Sequence, residues 1–149
     1  MLSKLDYCNS LYYGLNSDLL NRLQIVQNSA ARLVFNKGKY DHSSRLLFEL
    51  HWLPVKERIK YKINLIVHKA LYNESPCDIQ NLVTISSTRT FNLKGEYKSN
   101  STYADRAFTV CAPQVWNQLP PYLKTDTSLD TFKKNLKTFL FGNHFTNLG

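Results

Sequence analysis

"PVKERIKYKINLIVHKALYN", residues 54–73, is the stretch on which the fold turns. Val55, Ile59, Ile63, Ile66 and Ala70 recur at helical spacing and share one face. In the second half Leu65, Val67 and Leu71 point elsewhere, so the helix is apolar nearly all round. Such a helix belongs in the middle of a bundle. Pro54 suits its first turn, where a missing N–H does no harm. The residue before Pro54 is disfavoured in helical geometry, so "HWLP" breaks the chain just ahead. The first half of the helix differs: Lys56, Arg58, Lys60 and Lys62 flank the stripe, offset only by Glu57.

Towards the N-terminus, residues 2–14 read as a helix ended by Gly14, and Asn16 or Ser17 can cap the next one. That next helix, "SDLLNRLQIVQNSAARLVFN", sets Leu19, Leu23, Val26, Ala30 and Leu33 on a single stripe with steps of four and three. The stripe lasts only about two heptads, which favours an ordinary core face over a coiled coil. "NKGKYDHSS" is a turn, after which Asp41 or His42 begins a short helix through Leu50.

Towards the C-terminus, a short helix starts near Pro76, and the polar residues 86–102 form a long loop with a possible hairpin turning at Lys94-Gly95. A helix from about Asp105 to Leu119 is kinked or broken by Pro113. Ser128 caps the last helix, where Leu129, Phe132, Leu136, Phe139 and Leu140 make one face and Lys133, Lys134 and Lys137 gather on another. The expected architecture is mainly α: a single-domain helical bundle over residues 1–149, with an irregular loop or small hairpin near residues 86–104.

Composition narrows the function classes. The 149 residues are 43% hydrophobic and 20% charged, ordinary values for a globular chain. No apolar run approaches the roughly 18 residues of a membrane span, and the first residues lack the basic and then apolar pattern of a signal peptide. Cys8, Cys77 and Cys111 are far apart and odd in number, without zinc spacing. They read as small core residues of a protein in a reducing compartment. The formal net charge of +8 favours polyanions, nucleic acid first.

The search for catalysis is nearly empty. There is no Gly-rich phosphate loop, Gly-x-Ser-x-Gly, His-Glu-x-x-His or Asp-Asp pair. Asp41-His42 beside Ser43 and Ser44 is the nearest candidate, but adjacent residues do not converge as nucleophile and base must. A helix-capping role explains Asp41 more simply. Trp52 and Trp116 both precede a Leu-Pro corner. Closing the core is the stronger reading for each, and stacking on bases the weaker. Basic residues remain: Arg58, Lys62 and Lys69 fall near one line of the central helix, and Lys133, Lys134 and Lys137 form a second cluster. Either could contact phosphates, and either could be a solvated face.

"LDYCNSLYYGL", "LLNRLQIVQNSAARLV", "DHSSRLLFELHWLPVKERIKYKINLIVHKAL", "YADRAFTVCAPQVWNQLP" and "SLDTFKKNLKTFLF" follow one another in this order. Together they resemble the C-terminal end of the reverse-transcriptase polyprotein of non-LTR (LINE-type) retrotransposons, from about Leu5 to Phe141. The chain departs from that pattern at Ala104, where the family tends to have Gly, and in its shorter middle segment. The resemblance implies a helical region downstream of the polymerase palm, so that the chain reads as a truncated element. It implies no polymerase or endonuclease active site, no catalytic residue, no cofactor and no small-molecule substrate. The expected function is an accessory module binding RNA or DNA beside the upstream polymerase domain of an intact element, with Arg58, Lys62, Lys69, Lys133, Lys134 and Lys137 as the contacts. The alternative is a structural or protein-interaction fragment, or a relic without a function of its own.

Overall fold

The computed structural model describes residues 9–87, 91–95, 107–125 and 128–145. A single 3-10 turn, Asn9–Tyr12, leads into α1 (Ser17–Val34), α2 (Ser43–Glu49), α3 (Val55–Leu71) and α4 (Cys77–Asn81). A two-stranded antiparallel hairpin follows, β1 (Ile85–Ser87) and β2 (Asn92–Leu93), and then α5 (Phe108–Asn117), α6 (Pro121–Lys124) and α7 (Leu129–Phe145). The protein is mainly helical, as the periodicities require.

α3 occupies the middle. It touches α1, α5 and α7 and buries Val55, Ile59, Ile63, Val67 and Ala70, whose spacing turns one face inward. α5 adds Cys111, Ala112, Val115 and Trp116 to the same core, and α7 adds Phe132, Leu136 and Leu140. Leu53, Leu119, Leu123 and Leu93 close it. A smaller cluster, Ala31 with Leu46 and Leu47, joins α1 to α2 and takes Trp52 and Phe145 against its edge.

Three helices end in the same way. Asn36, His51 and Asn73 stand just past α1, α2 and α3 at φ values of 50°, 53° and 59°, the left-handed stop that Asn and His tolerate better than most residues. The next amide then reaches back to the helix: Lys37 to the Arg32 carbonyl, Trp52 to that of Leu47, Glu74 to that of Lys69, at 2.8–2.9 Å.

The structure departs from the sequence reading in several places. The described part of segment 2–14 is one 3-10 turn before Gly14 (φ 73°), not an α-helix; residues 2–8, Cys8 among them, lie outside the described residues, as does Asp105, the expected start of the helix that carries Pro113. Asp41 does not cap α2. The cap position is His42, and Asp41 Oδ2 instead accepts from the Gly38 amide at 2.8 Å, closing the preceding turn. The hairpin reverses between Ser87 and Asn92, ahead of Lys94-Gly95. Pro113 neither breaks α5 nor ends it, because a proline withdraws only one backbone donor there and the flanking side chains are buried. Cys77 is exposed, while Cys111 is the core residue expected.

The largest correction concerns α1. Leu19, Val26 and Leu33, expected in the core, are exposed, at 44%, 37% and 79%. The face turned inward carries Leu20, Gln24, Gln27 and Ala31. At about 100° per residue its centre lies roughly 100° around the helix from the middle of the apolar stripe. Hydrogen bonds supply the reason. Pro54 offers no side chain to cap α3, and Gln24 Oε1 accepts from the Val55 amide at 2.9 Å instead. Gln27 Nε2 donates to the Leu53 carbonyl at 2.8 Å, and Gln24 Nε2 ties the pair together through Gln27 Oε1. Buried backbone groups need such partners.

Burial pushes the Cys111 thiol from 9.0 up to about 11. The unfolded thiol therefore ionises first, and the native state loses stability as pH climbs from about 9 to about 11, by up to about 2 kcal/mol. Tyr13 and Tyr61, raised by burial, act in the same sense. Lys124, whose pKa burial lowers, acts against it. The urea midpoint should fall more steeply with pH over this range in the parent chain than in Cys111→Ala; parallel profiles would refute the assignment to this thiol.

Candidate nucleic-acid interface

The stop after α2 places His51 and Trp52 at the mouth of a groove of about 340 Å³. His51, Trp52 and Leu53 form one wall, Arg58, Tyr61, Lys62 and Leu65 of α3 form another, and Lys137 of α7 completes the lining. Parts of the two basic clusters read from sequence, distant in the chain, thus meet in space. No acidic side chain is among the residues lining it.

Each cation is held differently. Arg58 is half-buried, and its Nε donates to the Leu53 carbonyl at 2.9 Å, the oxygen that Gln27 also binds. The guanidinium is thereby fixed against the corner carrying Trp52. Lys62 and Lys137 are exposed, long stems with heads in water. Lys133 lies close enough to Tyr61 to pull its phenol pKa down against the upward push of burial. Its Nζ also pairs with Asp130 Oδ1 at 3.0 Å, which offsets part of its charge. Lys134 is exposed, and Lys69 half-exposed. Neither lines the groove: Lys69 sits two turns beyond Lys62, about 10 Å along the helix axis.

The aromatic components were only partly legible. Trp116 is wholly buried, its Nε1 donating to the Phe91 carbonyl at 2.8 Å and its ring 5.8 Å from that of Phe132. It closes the core. Trp52 is half-buried, packing on the α1–α2 cluster while also lining the groove. Tyr61, which the sequence reading passed over, stands between Lys60 and Lys62, and that alternation of aromatic and cation was its available signal. His51 stacks on Phe141 at 5.6 Å, with the rings inclined by 11°. Lys60, by contrast, is paired with Glu57 at 2.9 Å and lines other grooves.

Cations with partly exposed aromatic rings can hold phosphates and unstacked bases together. Among the described residues no group of three or more His, Cys, Asp or Glu side chains could hold a metal ion, and no helix is long and apolar enough to cross a membrane. Comparison with models of protein families, with curated proteins and with solved structures finds no match to this chain.

Proposed function

We propose that this chain is a helical nucleic-acid-binding module, akin to the C-terminal region of a non-LTR retrotransposon reverse transcriptase and acting beside a polymerase domain without a catalytic step of its own. The observation that carries the reading is the groove in which Arg58, Lys62 and Lys137 converge with Trp52 and Tyr61. Lysine and arginine contacts to phosphate give affinity with little sequence preference. The half-buried rings favour unpaired strands, whose bases are free to stack. The net charge of +8 adds long-range attraction for RNA or DNA alike.

The test is a titration of the purified chain into labelled single-stranded RNA and duplex DNA at several salt concentrations, with circular dichroism to monitor the fold. Expected is micromolar or tighter binding to the single strand that weakens steeply with salt, the slope counting the phosphates engaged. A folded chain that binds neither at low salt would defeat the proposal. A second reading, a protein-interaction fragment, has one observation in its favour: the exposed apolar stripe of α1.

A further inference from the structure

α3 carries a side chain that the fold leaves without a partner. Asn64 is 1% exposed, and neither its Nδ2 nor its Oδ1 makes a hydrogen bond. Buried polar groups are almost always paired, because an unpaired one costs stability. Asn64 also lines a groove of about 430 Å³ between α3, α5 and α7, a volume in the range of small-molecule sites. Leu119 and Leu140 supply apolar walls with the ring of Phe139, and Glu57 and Lys60 stand at the margin. That pair meets at 2.9 Å, and no other Asp, Glu, Lys or Arg is among the described residues lining the groove, so the two charges cancel. The basic groove of Lys62 lies about a third of a turn away around α3.

We infer that this second groove binds a nucleoside, whose flat base stacks on Phe139 and sets an adjacent donor and acceptor against the Asn64 carboxamide. A carboxamide with both atoms unpaired asks for a partner that gives and takes a hydrogen bond side by side. Adenine does so, with its N6–H facing Oδ1 and a ring nitrogen facing Nδ2, the two-point match that asparagine makes with this base. The cancelled charges give no hold on a phosphate, so base and sugar are what the site reads, and the Glu57 carboxylate accepts from the sugar hydroxyls. The Asn64 side chain leans over the turn that holds Lys60 and is closed to bulk water. Entry of the base therefore displaces the Lys60 stem, a long side chain near the surface, and binding is weak for that reason. The base comes either as a free nucleoside or unstacked from a strand. The recognition chemistry is the same for both, and it does not depend on the basic groove.

An NMR titration of the full chain with adenosine tests this, in about 0.5 M salt, which screens the positive charge and releases adventitious nucleic acid. The expected dissociation constant is about 0.1–1 mM, within reach of a small neutral ligand making few contacts. Asn64→Leu, close in size but without the carboxamide, should weaken adenosine at least about tenfold. It should also melt above the parent, since two unpaired buried atoms are gone. Phe139→Leu, which keeps the carboxamide and loses the ring, should weaken binding about threefold or more. Tyr122→Glu, an exposed change on α6, should leave it as it is. A short oligoadenylate in the same salt separates the sources: tighter binding than adenosine, lost in Asn64→Leu, means that a strand supplies the base, and weaker binding means a free nucleoside. N-Acetylalaninamide offers the same donor and acceptor without a ring and should not displace adenosine. Displacement would assign the groove to a peptide and overturn the inference. So would a parent chain that binds neither adenosine nor oligoadenylate, or an Asn64→Leu chain that binds as well as the parent.

Discussion

Replacing Trp116 with alanine is expected to cost about 3–5 kcal/mol, the usual range for emptying a buried aromatic site. Trp116 is fully buried at the end of α5 and heads the wholly enclosed side chains by volume. It fills the space between α3 and α7, with Phe132 at 5.8 Å, and its Nε1 ties Phe91 to the helix. The loss therefore opens a cavity and removes one of the hairpin's tethers in one step. Against a total stability of about 5–15 kcal/mol, the variant should melt about 10 °C or more below the parent. Trp116→Phe separates the two parts. It keeps much of the packing but leaves the Phe91 carbonyl without its donor, and should cost about 1–3 kcal/mol. Denaturant unfolding of both chains checks the argument. A loss below about 1 kcal/mol for the alanine variant would mean that α5 does not seat there.

The second large effect falls on binding. Reversing both exposed cations of the groove, in the double variant Lys62→Glu and Lys137→Glu, should weaken single-stranded RNA binding by about 10–100-fold at low salt. It should also lower the salt slope by about one to two contacts. Both side chains stand in water, so melting temperature and circular dichroism should stay near those of the parent. Reversing Lys69 and Lys134 instead, which are not in the groove lining, should have a smaller effect, confined to long-range attraction. If the two double variants lost affinity equally, the groove would be no more than one part of a diffuse basic surface, and the proposed interface would fall.

How far the sequence led depends on what each feature asks of it. α3 and α7 were largely legible because burial writes itself as periodicity, although Val67, read as pointing elsewhere, is fully buried and Ile66, read onto the core face, only half-buried. α1 carries just as clear a stripe, yet the stripe faces out. Its orientation is decided by needs elsewhere, at the uncapped start of α3 and the Leu53 carbonyl. No local pattern in residues 17–34 announces that two glutamines will meet them. The hairpin was foreseen in kind but misplaced, since Gly95 marked a turn while the observed reversal ends at Phe91, a non-glycine residue with φ of 50°. In the groove, Arg58 and Lys62 were placed together by one helix. Their meeting with Lys137 depends on how α7 lies across α3, which spacing within either helix does not encode.

The hairpin has a consequence for the order in which the protein is made. Strands of three and two residues do not hold themselves together, and here the moorings come from later in the chain. Asn117 grips both the amide and the carbonyl of Leu93, 24 residues back, at 2.9 and 3.1 Å. Trp116 reaches 25 residues back to Phe91, and the Lys124 ammonium 32 residues back to Asn92. A growing chain that has delivered β2 thus still lacks the side-chain tethers that hold it. At about 5–20 residues per second, the segment waits one to several seconds before α5 and α6 leave the ribosome. During that interval its unpaired strand edges are open to whatever else the nascent chain meets.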